Sequence, residues 1–473
     1  MGMRALAERI RGWERLTRPV DPEFADALRR RWDELPEIVK TPGQVLGRHG
    51  PGCEGTHGVF PKCNLACTPC YHSRDANRVR VDGGHTQTEV AAQMALLRER
   101  RGPHAHTQLI GGEVSLLPPD DHAATLQIMR DHGREPMSFT HGDVDYDYLE
   151  KLAVGPDGKR RFDRLSFAAH FDMLMFGRRG IERPADEPSL NPYRRRFADM
   201  FRRLKKEHGV AFFLAHNMTV TPRNVDQVAQ VIRDNRDAGY GMFSFQPAAF
   251  LGDERRWHDR YRDVSPDAVW KRIEEGAGTR LDYRVIENGD VRCNRTAYGW
   301  FVGERWIPVL DGADPRDLAA RTAFFDHLGG VVFGGTPPLL LIARLLRAAA
   351  GHPQLVPIAL RWLGRAVRRS GPLRVLRHGV RPTTFVMHQF MDAEVVGPAW
   401  EMMQRGEAAT DPVLVEVQER LGACHYAMAH PEDGTLVPAC VQHSILDPQE
   451  NAALRTLLPI EPVVRRAAPP VSA

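Results

Sequence analysis

From about residue 57 to residue 250 the chain repeats one pattern, a short apolar run followed by an amphipathic segment. The apolar runs are His57 to Phe60, Thr107 to Ile110, Met137 to Thr140, Arg164 to Ala168, Val210 to Leu214 and Gly241 to Gln246. Between them, Thr88 to Arg101, His122 to His132, Pro192 to His208 and Arg223 to Ala238 carry helical periodicity. Strands joined by crossover helices of this length pair in parallel, which predicts an α/β fold whose sheet is open or curled into a partial barrel. Sites in such folds lie at the carboxyl ends of the strands, so the residues just after each run matter most.

The chain has 473 residues and is 42% hydrophobic, enough for a full core and an additional module. A net charge of +4 gives no general case for nucleic acid. Seven cysteines are too few, and odd in number, for a secreted disulfide scaffold, and fit metal ligation in a reducing compartment. The N-terminal MGMRALAERIRGWERLTRPVDP lacks the apolar core of a signal peptide, and no run reaches the length of a membrane span. A cytoplasmic protein is the expectation. Its organisation reads as a helical lead-in over 1–50, a barrel over 51–260, a mixed segment over 261–326, a basic helical segment over 327–382 and a C-terminal extension over 383–473.

The segment FPKCNLACTPCYH sets Cys63, Cys67 and Cys70 in a C-x3-C-x2-C array directly after the first predicted strand. Three thiolates can hold three irons of a cubane and leave the fourth iron open to a ligand. The alternative, a zinc knuckle, wants four closed ligands and usually paired C-x2-C units. After the second predicted strand comes LIGGEVSLLP, with Gly111, Gly112 and Glu113 on the same barrel face. Paired glycines allow close backbone approach, and the carboxylate can accept hydrogen bonds from an ammonium group.

A C-x3-C-x2-C array followed by the aromatic Tyr71, with GGE one unit later, resembles the radical S-adenosylmethionine superfamily over roughly residues 55 to 250. The resemblance implies a partial (β/α)6 TIM-like barrel and a [4Fe-4S] cluster on Cys63, Cys67 and Cys70 whose open iron takes the methionine amine and carboxylate. It implies that Tyr71 lies near the adenine and that Gly111, Gly112 and Glu113 bind the methionine amine. Ser166, with Asn217 or Thr219, becomes a candidate for the ribose and carboxylate. The implied reaction is reductive cleavage of S-adenosylmethionine and removal of hydrogen from an unreactive C–H bond, with reduced ferredoxin or flavodoxin as electron donor.

Four cysteines remain, Cys53, Cys293, Cys424 and Cys440, the number a second [4Fe-4S] cluster would use. Buried thiols that act as small hydrophobes are the alternative. Cys424 and Cys440 flank a PEDG turn in LGACHYAMAHPEDGTLVPACVQHS, which predicts a hairpin. Cys53 precedes the first strand and should lie at the barrel end opposite the reactive loop, while His57, His425 or His443 could supply a missing ligand. Post-barrel cysteines of this kind resemble auxiliary-cluster extensions. The segment TTFVMHQFMDAEVV, Thr383 to Val396, is similar in part to the archaeal tetraether lipid synthase group, which implies a lipid-like substrate. A peptide or small metabolite is the alternative substrate, and an iron-sulfur electron-transfer or scaffold protein the alternative outside enzymes.

Residues 327–391 contain no Asp, Glu or Lys but nine arginines among Leu, Ile, Val and Ala. Two helices broken by His352-Pro353 and Pro357 are expected, with Trp362 beside Arg361, Arg365 and Arg368. Such helices suit the anionic inner face of a membrane. The alternative is a hairpin packed on the barrel with its arginines paired to acids from elsewhere.

Overall fold

The computed structural model describes residues 3–70, 77–252 and 254–460; Tyr71 lies outside the described residues. The strands in chain order are β1 (Cys53–Gly55), β2 (Ala66–Cys67), β3 (Ala105–Leu109), β4 (Arg134–Thr140), β5 (Arg164–His170), β6 (Met175–Phe176), β7 (Ala211–Val220), β8 (Met242–Pro247), β9 (Asn294–Val302), β10 (Arg305–Pro308), β11 (Arg381–His388), β12 (Tyr426–His430) and β13 (Thr435–Pro438). Eleven of them form one sheet in the order β10-β9-β11-β8-β7-β5-β4-β3-β1-β12-β13, and β2 pairs with β6. The run β1-β3-β4-β5-β7-β8 is parallel throughout, as the strand-helix repeat requires.

Helices Gly83–Arg101, Pro119–Asp131, Tyr146–Ala153, Asn191–His208 and Val228–Asn235 connect these strands. Asp82 caps the first by accepting from the His85 amide at 2.9 Å. Gly209, left-handed at φ +71°, closes the helix Asn191–His208. The core lies between sheet and helices, where Phe167 of β5 packs against Phe201 with ring centroids 5.1 Å apart.

The first strand is Cys53–Gly55, not the apolar run His57 to Phe60. Val59 and Phe60 are buried in the core as irregular chain, so their hydrophobicity reports burial and not extended pairing. What holds so short a strand is a buried polar clamp. Glu54 accepts from Arg134 through two bonds of 3.0 and 3.1 Å and from Thr107 Oγ1 at 2.6 Å, tying β1, β3 and β4 together. Removing one partner of such a pair costs about 3–5 kcal/mol, because the other charge is left buried.

The C-terminal part supplies both borders of the parallel run. β11 adds to β8, and β12 adds to β1, each in parallel. The β9–β10 hairpin continues antiparallel beyond β11, and β13 beyond β12. The sheet curls until these borders meet: the His388 ring, at the end of β11, stacks on that of His425, just before β12, with centroids 5.3 Å apart.

The basic segment forms helices Pro338–Gly351, Leu355–Ser370 and Pro372–His378. The break falls at 352–354, while Pro357 sits in a first helical turn, where its missing N–H is not needed. The expectation that Trp362 and Arg365 of the second helix face an anionic surface is corrected. Arg365 and Arg369 pair with the buried Asp317, and Trp362 donates its indole N–H to Val309 O at 3.0 Å. These residues therefore face the protein. Among the described residues no helix is long and apolar enough to cross a membrane.

Candidate active site

A cavity of about 570 Å³ runs down the inside of the curled sheet. Side chains of a strand alternate between faces, so every second residue of each parallel strand lines it. Register places these in layers. The floor holds Cys53, His106, Glu135 and Arg164; above it come Gln108, Met137, Ser166 and Phe213; higher still lie Asn217, Ser244 and Val386. The loop of Cys63, Cys67 and Cys70 and the 111–113 turn border the same cavity at the other end.

The cysteine loop is held by its neighbours. Cys67 lies in β2 opposite Met175, and the Cys63 amide donates to Asn77 Oδ1 at 3.1 Å. Cys67 and Cys70 hydrogen-bond to each other, and this contact, followed by burial, raises the Cys67 thiol. Burial, then the Glu113 carboxylate, pushes Cys63 up to about 12. The Cys63 and Cys67 thiols, which resist ionisation, become thiolates readily only beside a cation, and soft thiolate donors suit iron. The donor set therefore fits the cluster that its spacing implies.

Gly112 makes the close approach expected of it, but toward protein. A Cβ there would stand 2.1 Å from Lys62 O, in the chain leading to the cysteines, and its amide donates to Phe60 O at 2.8 Å. The Glu113 carboxylate accepts from Ser115 N at 3.0 Å, Thr140 Oγ1 at 2.7 Å and His141 N at 2.7 Å. His141 in turn meets Asn64 Oδ1, inside the cysteine loop, at 2.7 Å. This turn thus braces the loop, and an ammonium group would have to share the Glu113 oxygens. The Ser166 hydroxyl is buried and forms no hydrogen bond among the described residues, and the same holds for Ser244. Asn217 faces the cavity, whereas the Thr219 hydroxyl meets His170 Nε2 at 3.2 Å.

The other four cysteines all border the cavity. Cys53 starts β1, Cys293 precedes β9, Cys424 precedes β12 and Cys440 follows β13, so the meeting of the sheet borders sets them along one cavity. Burial, then Cys424 and Cys293, raises the Cys440 thiol. Arg420 donates to Cys293 Sγ at 3.1 Å and lowers that thiol, yet burial prevails and leaves it near 11. Burial also lifts Cys53 to about 12. The β12–β13 hairpin joins Cys424 to Cys440 as the PEDG turn suggested. Of the three histidines considered as substitutes, His57 is engaged by Glu450 and Ala429 O, and His443 by Asp447; His425 lines the cavity beside His388.

Sequence inspection missed Arg164, Ser244, His388 and Arg420. Polar residues at alternate positions of an otherwise apolar strand were the available signal for the first three. Arg420 lies on a helix, Pro412–Gly422, and carried none.

No protein-family model and no curated protein matches the chain. Among solved structures it is similar to AdoMet-bound anSMEcpe, with 15% identity, a TM-score of 0.33 and coverage of 47% of this chain and 58% of that one. It is also similar to Streptococcus suis SuiB bound to precursor peptide SuiA, with 11% identity, a TM-score of 0.28 and coverage of 47% and 42%. The chain spans about half the length of these proteins. At such scores the functional reading is left to the residues themselves.

Proposed function

We propose that this protein is a radical S-adenosylmethionine enzyme that acts on a peptide or small polar metabolite. The observation that carries the proposal is the placement of Cys63, Cys67 and Cys70 on one loop at the end of the cavity. A [4Fe-4S] cluster on these thiolates, with S-adenosylmethionine, supplies a carbon-centred radical able to remove hydrogen from an unactivated C–H bond. The protein holds the loop through Gly112 and His141, excludes bulk water and positions the substrate. Asn217 and Ser166 are the cofactor-facing candidates, and the turn backbone at Gly111 is a third.

The wall is largely apolar, but the polar groups set into it favour an occupant with polar atoms over the lipid chain that the partial sequence likeness implied. Beyond Ser166, assigned above to the cofactor, Ser244 is 1% exposed and its hydroxyl has no protein partner among the described residues. On the floor, Arg164 stacks over Phe213 at 5.7 Å and forms no ion pair among the described residues. Hydrocarbon against these groups would leave each unsatisfied, at about 1–3 kcal/mol apiece. A substrate bearing an amide, hydroxyl or carboxylate satisfies them. We further propose that Cys53, Cys293, Cys424 and Cys440 hold a second [4Fe-4S] cluster, and that reduced ferredoxin or flavodoxin delivers the electron.

Anaerobically reconstituted protein with dithionite should convert S-adenosylmethionine to 5'-deoxyadenosine, and Cys67→Ala should not. Equal product from both would remove the proposal. A protein that binds iron but yields no deoxyadenosine would be an electron-transfer or scaffold protein.

A further inference from the structure

The helix Leu355–Ser370 is amphipathic in the sense opposite to that of a soluble surface helix. Its arginines 365 and 369 point inward to Asp317, while Val356, Leu360, Leu363 and Val367 point outward, Leu360 at 63% exposure. A helix facing water buries its apolar stripe and solvates its charges. Neighbouring elements share the inversion. Arg344 and Arg347 of the helix Pro338–Gly351 bond to Leu16 O and to Glu14, leaving Leu339 and Leu346 outside. The helix Met3–Thr17 that receives them exposes Leu6, Ile10, Trp13 and Leu16, spaced along one face. Leu373 and Leu376 of the helix Pro372–His378 are 83% and 84% exposed.

Scattered surface leucines need no explanation, but grouping of this kind marks an interaction surface. The charge that accompanies it selects the partner. Arg361, Arg368, Arg374 and Arg377 stand among these leucines with no acidic partner among the described residues, in a stretch that contains no Asp, Glu or Lys. A second copy of this surface would bring arginine against arginine. Exposed leucines flanked only by guanidinium groups over 338–378, with Trp13 beside them, match the acyl boundary and phosphates of an anionic bilayer. At 14 and 16 residues, the two main helices lie on a bilayer and do not cross it.

We propose that the helix Met3–Thr17 together with helices 338–378 docks the protein on an anionic phospholipid membrane. The inward arginines build the platform, and the outward leucines insert. This surface is separate from the cavity, so its test involves neither cluster nor S-adenosylmethionine.

The full-length protein is mixed with vesicles of phosphatidylcholine alone or with phosphatidylglycerol, and sedimented at low and at high salt. It should pellet with the phosphatidylglycerol vesicles at low salt and be partly released by high salt, because screening weakens only the charged part. Arg361→Glu with Arg368→Glu should lower the low-salt partition at least about tenfold. Leu360→Glu with Leu363→Glu should remove the salt-resistant part. All four positions are exposed, and circular dichroism checks that the variants fold. Failure of the wild-type protein to pellet at low salt would overturn the proposal. So would equal, salt-independent pelleting with phosphatidylcholine, or a dimer in light scattering that Leu360→Glu abolishes, which would assign the face to a second copy.

Discussion

The two sets of cysteines differ in how the chain brings them together. Cys63, Cys67 and Cys70 share one loop, so their proximity is a property of local chain length. Cys53, Cys293, Cys424 and Cys440 come from four elements and border one cavity only because the sheet curls until β11 approaches β12. Their electrostatics differ as well. The loop thiols crowd one another, with the Cys67–Cys70 contact dominating at Cys67. At Cys53, Cys293 and Cys440 burial dominates, as it does at Cys63, and a guanidinium, Arg420, lies on the Cys293 sulfur. A local motif can move as a unit, whereas a distributed one is only as stable as the tertiary contacts behind it.

The sharpest way to break this comparison exchanges the sets. Alanine at Cys63, Cys67 and Cys70 together should abolish deoxyadenosine formation while about four irons per chain remain, as one cubane requires. Alanine at Cys293, Cys424 and Cys440 should leave deoxyadenosine formation within a few-fold of normal and halve the iron. Loss of all iron from the first variant would make the distributed cysteines structural thiols.

A smaller effect should follow from Gly112→Ala. The added Cβ collides with the backbone at Lys62, and overpacking of this kind costs about 1–3 kcal/mol. Urea unfolding should show that loss, and deoxyadenosine formation should fall with it while the distributed set keeps its iron. An unchanged rate would mean that the cysteine loop does not depend on the 111–113 turn.

The smallest effect concerns pH and the chain just after the strand that carries Cys53. His57, just after β1, meets Glu450 of the helix Asp447–Leu457 at 3.0 Å and stacks on His430, with Asp447 nearby and Glu432 on His430. Burial lowers the His57 pKa, but the bond and attraction to Glu450 outweigh it and leave it raised. The contact therefore stabilises fully below the unfolded histidine value of about 6.5 and is lost as pH rises through the folded value. Wild type and His57→Gln should differ most in urea midpoint at acidic pH and converge at alkaline pH. A difference that grows with pH would reverse the assigned sign.

The strand-helix alternation was legible because parallel pairing needs crossover helices, and four of the five connecting helices start or end within a few residues of the periodic segments. The reactive loop was legible for the same local reason. The first strand was misplaced because Val59 and Phe60 look like a strand by composition, whereas pairing at Cys53–Gly55 depends on Arg134 and on β12, far along the chain.

What the sequence determined by itself is whatever rests on neighbours along the chain: the repeat, the C-x3-C-x2-C spacing, the hairpin between Cys424 and Cys440, and the acid-free arginine stretch. Tertiary structure alone decided which way that stretch faces, since Asp317 draws Arg365 and Arg369 inward and leaves the leucines outside. It also decided that residues 381–388 and 426–430 complete the barrel wall and carry the last cysteines to the cavity. Periodicity records which residues share a face, but the burial of one distant carboxylate determines which face is turned toward the protein.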